Sequence, residues 1–102
     1  MGNTKSHAVP VEQMNYIMDR TGFNEHQVQK LYQRFQALDR NQTARLTRED
    51  FMFIPELAIN PLADRIVDMF IKQHREHSGD ATSDEVDFIA FCLTLNNFNI
   101  KI

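Results

Sequence analysis

The sequence predicts an all-α domain: a helix–loop–helix unit that occurs twice, preceded by one further amphipathic helix. Three observations lead there. Apolar residues recur at helical spacing through most of the 102 residues, and no alternating run marks a strand. Two polar loops each hold one isolated apolar residue, Leu46 and Val86, followed at once by a helix cap. The two units also keep step, because Leu46 and Val86, the caps Thr47 and Asp87, and the aromatics Phe51 and Phe91 are each forty residues apart. Hydrophobic residues make up 42%, with eight Phe and two Tyr, which is enough apolar material for one core.

Residues 1–9 are read as a flexible tail. Val11, Met14, Ile17 and Met18 then share one helical stripe, with Pro10 suited to the first turn and Thr21-Gly22 as the stop. Asn24 and Gln27 have capping-box spacing, flanked by the staple pair Phe23 and Val28. Val28, Leu31, Tyr32, Phe35 and Leu38 continue that helix until the period fails at Asp39. Thr47 to Asp50 repeat the capping-box pattern before Phe51 and Ile54, and Pro55 ends the run. Asn60-Pro61 opens a fourth helix through Leu62, Ile66, Met69 and Phe70. Lys72 to Glu85 has no period and is expected to be a mobile surface loop. Asp87 caps a last helix bearing Phe88, Phe91 and Leu95. The expected organisation is a paired unit over 10–98, with halves 24–54 and 60–96, and a truncated linker over 99–102.

Several function classes fall away. A net charge of −3 argues against a nucleic-acid binder that works by neutralising phosphates. The single Cys92 excludes an internal disulfide framework. No apolar run nears the ~20 residues a bilayer requires, and no hydrophobic leader precedes Pro10, so a cytoplasmic protein is expected. His7, His26, His74 and His77 have no evident nucleophile beside them and no phosphate-binding glycine loop exists, so no enzyme is expected. His74 and His77 alone are too few for a zinc site.

A repeated helix–loop–helix with one apolar residue at the eighth loop place is the EF-hand plan, in which the twin loops meet in a short β-bridge. Counting from Asp39, oxygen donors stand at the first, third and fifth places as Asp39, Asn41 and Thr43, and Arg45 offers its carbonyl at the seventh. Two places fail: Ala44 replaces the glycine of the sharp turn, and Asp50 replaces the bidentate Glu. Arg40, Arg45 and Arg48 cancel Asp39, Glu49 and Asp50, leaving the loop neutral. The second loop, Gly79 to Ala90, has no carboxylate at either end. No cofactor is expected, with calcium at this first loop the remaining candidate.

Gly2 with Ser6 matches the N-myristoylation pattern, so Gly2 is the expected lipidation site and the protein is expected at membranes as a peripheral one. One acyl chain attaches only marginally, so a membrane-protein partner would supply the second contact.

Thr21-Gly22-Phe23, Leu31 to Phe35, Leu46 to Phe51 and above all the proline-flanked run Ile54 to Leu62 resemble the calcineurin B homologous proteins, and next to them calcineurin B, of the EF-hand family. The resemblance covers an amino-terminal lobe. It implies an adaptor that holds an amphipathic target helix, for these proteins the juxtamembrane helix of a sodium/proton exchanger, with hands that bind no calcium in this lobe and calcium-binding hands in a second. The alternatives it leaves are a calcium sensor or buffer and a phosphatase regulatory subunit. Phe35, Phe51, Ile66, Met69, Phe70, Phe91 and Leu95 are the candidates for the partner groove, most of them shared with the core.

Overall fold

The computed structural model describes residues 9–100. The first helix, α1 (Val11–Thr21), buries Met14 and Ile17 and closes on Gly22, whose φ of +80° suits glycine and whose N–H donates to the Met18 carbonyl. Next, α2 (Glu25–Leu38) starts on a reciprocal capping box: the Gln27 N–H donates to Asn24 Oδ1 and the Asn24 N–H donates to Gln27 Oε1, both at 2.8 Å. The same device opens α3 (Arg48–Phe51), between Thr47 and Asp50.

Pro55 ends the run of α3 by holding Ile54 extended, at φ −87° and ψ 111°. It also begins a turn that the apolar spacing does not anticipate, α4 (Pro55–Ala58), where a first-position proline loses no helical hydrogen bond and Leu57 is buried. Asn60 Oδ1 accepts from the Leu62 N–H at 2.8 Å, so the helix expected after Asn60-Pro61, α5 (Ala63–Ser78), starts just beyond the proline.

Helix continues through Lys72 to Ser78, where a loop is expected, and ends at Gly79 with φ +78°. The reason for this departure is His74, only 2% exposed, which carries on the buried stripe of Val67, Phe70 and Ile71 although its ring is polar. Finally, Asp87 caps α6 (Phe88–Asn97) by accepting from the Ala90 N–H at 2.9 Å. Beyond it Asn99 turns left-handed at φ +52°, and the Ile100 N–H returns to the Leu95 carbonyl at 2.9 Å, closing the helix as a Schellman motif.

Among the described residues the extended pairing is one antiparallel bridge, Leu46 with Val86, as the paired-loop plan requires. The helices gather around an aromatic centre. Phe51 and Phe70 stand 4.7 Å apart, Phe70 and Phe91 5.8 Å, and Phe35 meets Phe91 edge-on at 5.5 Å. Helix α6 is apolar on nearly every side and is enclosed by α5, α1 and α2.

Candidate functional site

The two loops are joined by their eighth residues. The Leu46 N–H donates to the Val86 carbonyl at 2.8 Å and the Val86 N–H to the Leu46 carbonyl at 2.9 Å, and both side chains are fully buried. This bridge fixes the first loop beside the second and positions every candidate ligand.

Asp39 closes the first loop on itself. Its Oδ1 accepts from the Thr43 N–H at 3.0 Å and its Oδ2 from the Ala44 N–H at 2.7 Å. Thr43 Oγ1 donates to the Arg45 carbonyl at 3.1 Å, which engages the backbone oxygen at the seventh place. Ala44 takes φ +63°, so the sharp turn of the EF-hand loop is made here by an L-residue, and Gln42 is left-handed too at φ +54°. Asp50 is buried and its Oδ2 accepts from the Thr47 N–H at 2.9 Å, so the carboxylate at the twelfth place serves as a helix cap. Asn41 is exposed.

The loop offers two carboxylates, Asp39 and Asp50, each already accepting from backbone amides and each with acceptor capacity left, beside the Thr43 hydroxyl and the Arg45 carbonyl. Among the described residues no three His, Cys, Asp or Glu side chains converge where they could hold a metal ion.

Arginines tie the loops to the rest of the lobe. Arg48 pairs with Asp68 and, at 3.6 Å, with Asp64 on α5, while Arg45 lies 3.8 Å from Glu85 on the other loop. These pairs are about half exposed and each contributes only ~0–1 kcal/mol. In the second loop, Arg75 Nε donates to the Ser83 carbonyl at 2.8 Å, and Arg75 pairs with Asp84 at 3.1 Å. Asp80 accepts from Thr82 Oγ1 at 2.7 Å and from the Thr82 N–H at 3.0 Å, which holds its carboxyl below the ordinary carboxylate range. The buried His74 places Nδ1 3.1 Å from Ser83 Oγ and Nε2 3.9 Å from an oxygen of Asp87. His77, by contrast, packs on the Tyr16 ring at 5.6 Å, so the two histidines serve different neighbours. Sequence reading misses this clasp between α5, the loop and α6. Its available signal is a histidine falling in register with an apolar stripe.

The partner groove needs correction too. Phe35, Phe51, Phe70, Phe91 and Leu95 are between 0% and 4% exposed and form the core, Phe35 also bordering a concavity beside Tyr32 and Phe88. Their spacing marks the inward face of each helix, and a lobe this small needs that face for itself. Ile66 and Met69 are half-buried on α5. With Leu62, 56% exposed, they follow i, i+4, i+7 spacing down one flank, and the connector before it also exposes Phe53 and Ile59. Cys92 is fully buried, and burial pushes its thiol well above the ordinary range. Gly2, the candidate acylation site, lies outside the described residues, as does part of the expected linker over 99–102.

No family model matches the sequence. Similarity to individual proteins is extensive. The chain is 36% identical over 101 residues to the type 1 calcineurin B of Dictyostelium discoideum, covering 99% of this chain and 51% of that protein. It is 35% identical over 101 residues to the type 2 calcineurin B of Homo sapiens, covering 99% and 50%. To calcineurin B homologous protein 3 of Gallus gallus it is 34% identical over 99 residues, covering 96% and 44%. The chain thus spans about half the length of the curated relatives it matches. Likeness running along nearly the whole chain, on two helix–loop–helix units bridged at Leu46 and Val86, is consistent with a calcineurin B-like EF-hand family.

Proposed function

We propose that this chain is a docking module that receives an amphipathic helix of a membrane protein, of the sodium/proton exchanger type, and acts as that protein's regulatory cofactor. The supporting observation is the apolar flank of Leu62, Ile66 and Met69 on α5, left partly uncovered at i, i+4, i+7 spacing after a connector that also exposes Phe53 and Ile59. Acylation of Gly2 would hold the module at the cytoplasmic face of the membrane, with the partner as the second contact. No catalytic role belongs to this reading.

The test is titration of the full chain with an exchanger juxtamembrane peptide, next to the variant Met69→Asp. Saturable binding that the variant weakens at least ~10-fold supports the reading, since a carboxylate on an apolar contact carries a large desolvation cost. Absence of binding at high micromolar peptide removes it.

A second reading has specific support, because two of the relatives are named as subunits of calcineurin. In that reading the same flank receives a helix of a phosphatase catalytic subunit, and a peptide of that kind, titrated in parallel, separates the two. Calcium is the ion to test at the first loop, as it is for any member of an EF-hand family. A dissociation constant below ~10 µM by calorimetry would make the chain a sensor or buffer instead.

A further inference from the structure

Helix α5 carries different charge on its two edges. On one edge Asp64 and Asp68 face Arg48 of α3. On the other, Arg65 and Lys72 stand beside the apolar flank. Leu62, Arg65, Ile66, Met69 and Lys72 follow i, i+3, i+4, i+7, i+10 spacing, one stripe about 15 Å long at ~1.5 Å per residue. Both cations are exposed, and among the described residues neither lies within ion-pair distance of a carboxylate. That sets them apart, because Arg20, Arg34, Arg45, Arg48 and Arg75 each pair with one, and Arg40 rests over the Phe53 ring at 4.2 Å. Lys72 also borders the concavity between the two loops, where Asp68, Asp84 and Glu85 are already held by Arg48, Arg75 and Arg45. Glu76, one turn beyond Lys72, ends the basic edge. Besides Lys30 on α2, the described lysines and arginines without such a partner therefore share one edge of the partly uncovered flank, in a chain of net charge −3.

Arg65 and Lys72 are one heptad apart, so both face the same edge of a helix laid along the stripe. We infer that the occupant of the α5 flank is an amphipathic helix whose apolar stripe is bordered, on the Arg65–Lys72 side, by carboxylates at that same spacing. This assignment rests on the docking role proposed above and adds the partner's charge pattern to it. Charges at the rim of an apolar contact select the partner and its direction more than they add affinity. An anionic membrane fits the same residues less well. Two cations fall short of the basic clusters that hold proteins to lipid headgroups, the chain is net negative, and a linear stripe matches a helix rather than a plane.

Calorimetric titration of the full chain tests it, with two synthetic amphipathic helices that share one leucine stripe and carry either Glu or Lys at the bordering positions. At low salt the Glu-edged peptide should bind at least ~10-fold more tightly than the Lys-edged one, and the gap should shrink in about 0.5 M salt, where exposed charges are screened. The double variant Arg65→Glu/Lys72→Glu should reverse the preference, whereas Lys30→Glu should leave it unchanged. Equal affinities, or a preference that the double variant does not move, would overturn the inference while the flank remains a docking site. Met69→Asp should weaken both peptides. If neither peptide binds the unaltered chain, or binding is undiminished in Met69→Asp, the docking role itself fails and the charge pattern falls with it. Vesicles of anionic phospholipid that bind the chain when neither peptide does would assign the patch to a membrane and overturn both.

Discussion

At the scale of single residues, three positions carry conformational or solvation costs that can be measured. Ala44 holds φ +63° where a glycine would rest without strain. The left-handed cost for an L-residue is ~1–2 kcal/mol, and glycine gives back ~0.5–1 kcal/mol through unfolded-state entropy. Ala44→Gly is therefore expected to stabilise the chain by about 0.5–1 kcal/mol in urea unfolding. Thr94 is fully buried on α6 with no hydrogen-bond partner for its hydroxyl among the described residues. Thr94→Val removes the unpaired group at nearly constant volume and is expected to raise stability by about 1 kcal/mol. Cys92 sets a pH dependence through its enclosed thiol. The folded-state thiol is raised, so the native chain keeps its proton while the unfolded chain loses it from about pH 8.5 upward. Stability should be full below that pH and fall above it, and Cys92→Ala should flatten the decline even while it lowers stability at neutral pH. A thiol reagent should label Cys92 only after denaturation.

At the scale of elements, helix starts were legible and one helix end was not. Asn24 with Gln27, Thr47 with Asp50, and Asp87 are local devices whose partners lie within three residues, so the sequence alone specifies them. Asn24→Ala should accordingly cost about 1 kcal/mol, read from the shift in denaturation midpoint. The end of α5 depends on tertiary contacts: His74 reads as a polar loop residue until Ser83 and Asp87 are brought around it. The turn α4 was hidden for a similar reason, since Pro55 is a stop signal for one helix and a start signal for the next. Apolar spacing likewise identified which side chains face inward but could not divide core from groove. That division depends on how much of the helix surface the other helices cover, and only Ile66 and Met69 of the seven candidates stay partly uncovered. The ligand places of the first loop were legible as donors, whereas the engagement of Asp39 by its own loop amides was not.

At the scale of the whole molecule, one aromatic centre and one two-residue bridge hold the halves together. Phe51, Phe70 and Phe91 are each at most 1% exposed and come from three different helices. Phe91→Ala should cost ~3–5 kcal/mol, a large share of the ~5–15 kcal/mol that a domain of this size has in total, so thermal melting should show a midpoint lowered by roughly 12–40 °C. The loops hold their shape by internal means: Asp39 on the amides of Thr43 and Ala44, Asp50 on Thr47, and arginines between loop and helix. On the function proposed above, a lobe organised in this way would offer its α5 flank to a partner helix without first needing an ion. Titration of the full chain with an amphipathic exchanger-type peptide, run once in excess chelator and once in millimolar calcium, tests that claim most directly. Equal saturable binding in both is the predicted result; binding that appears only when calcium is supplied would contradict it.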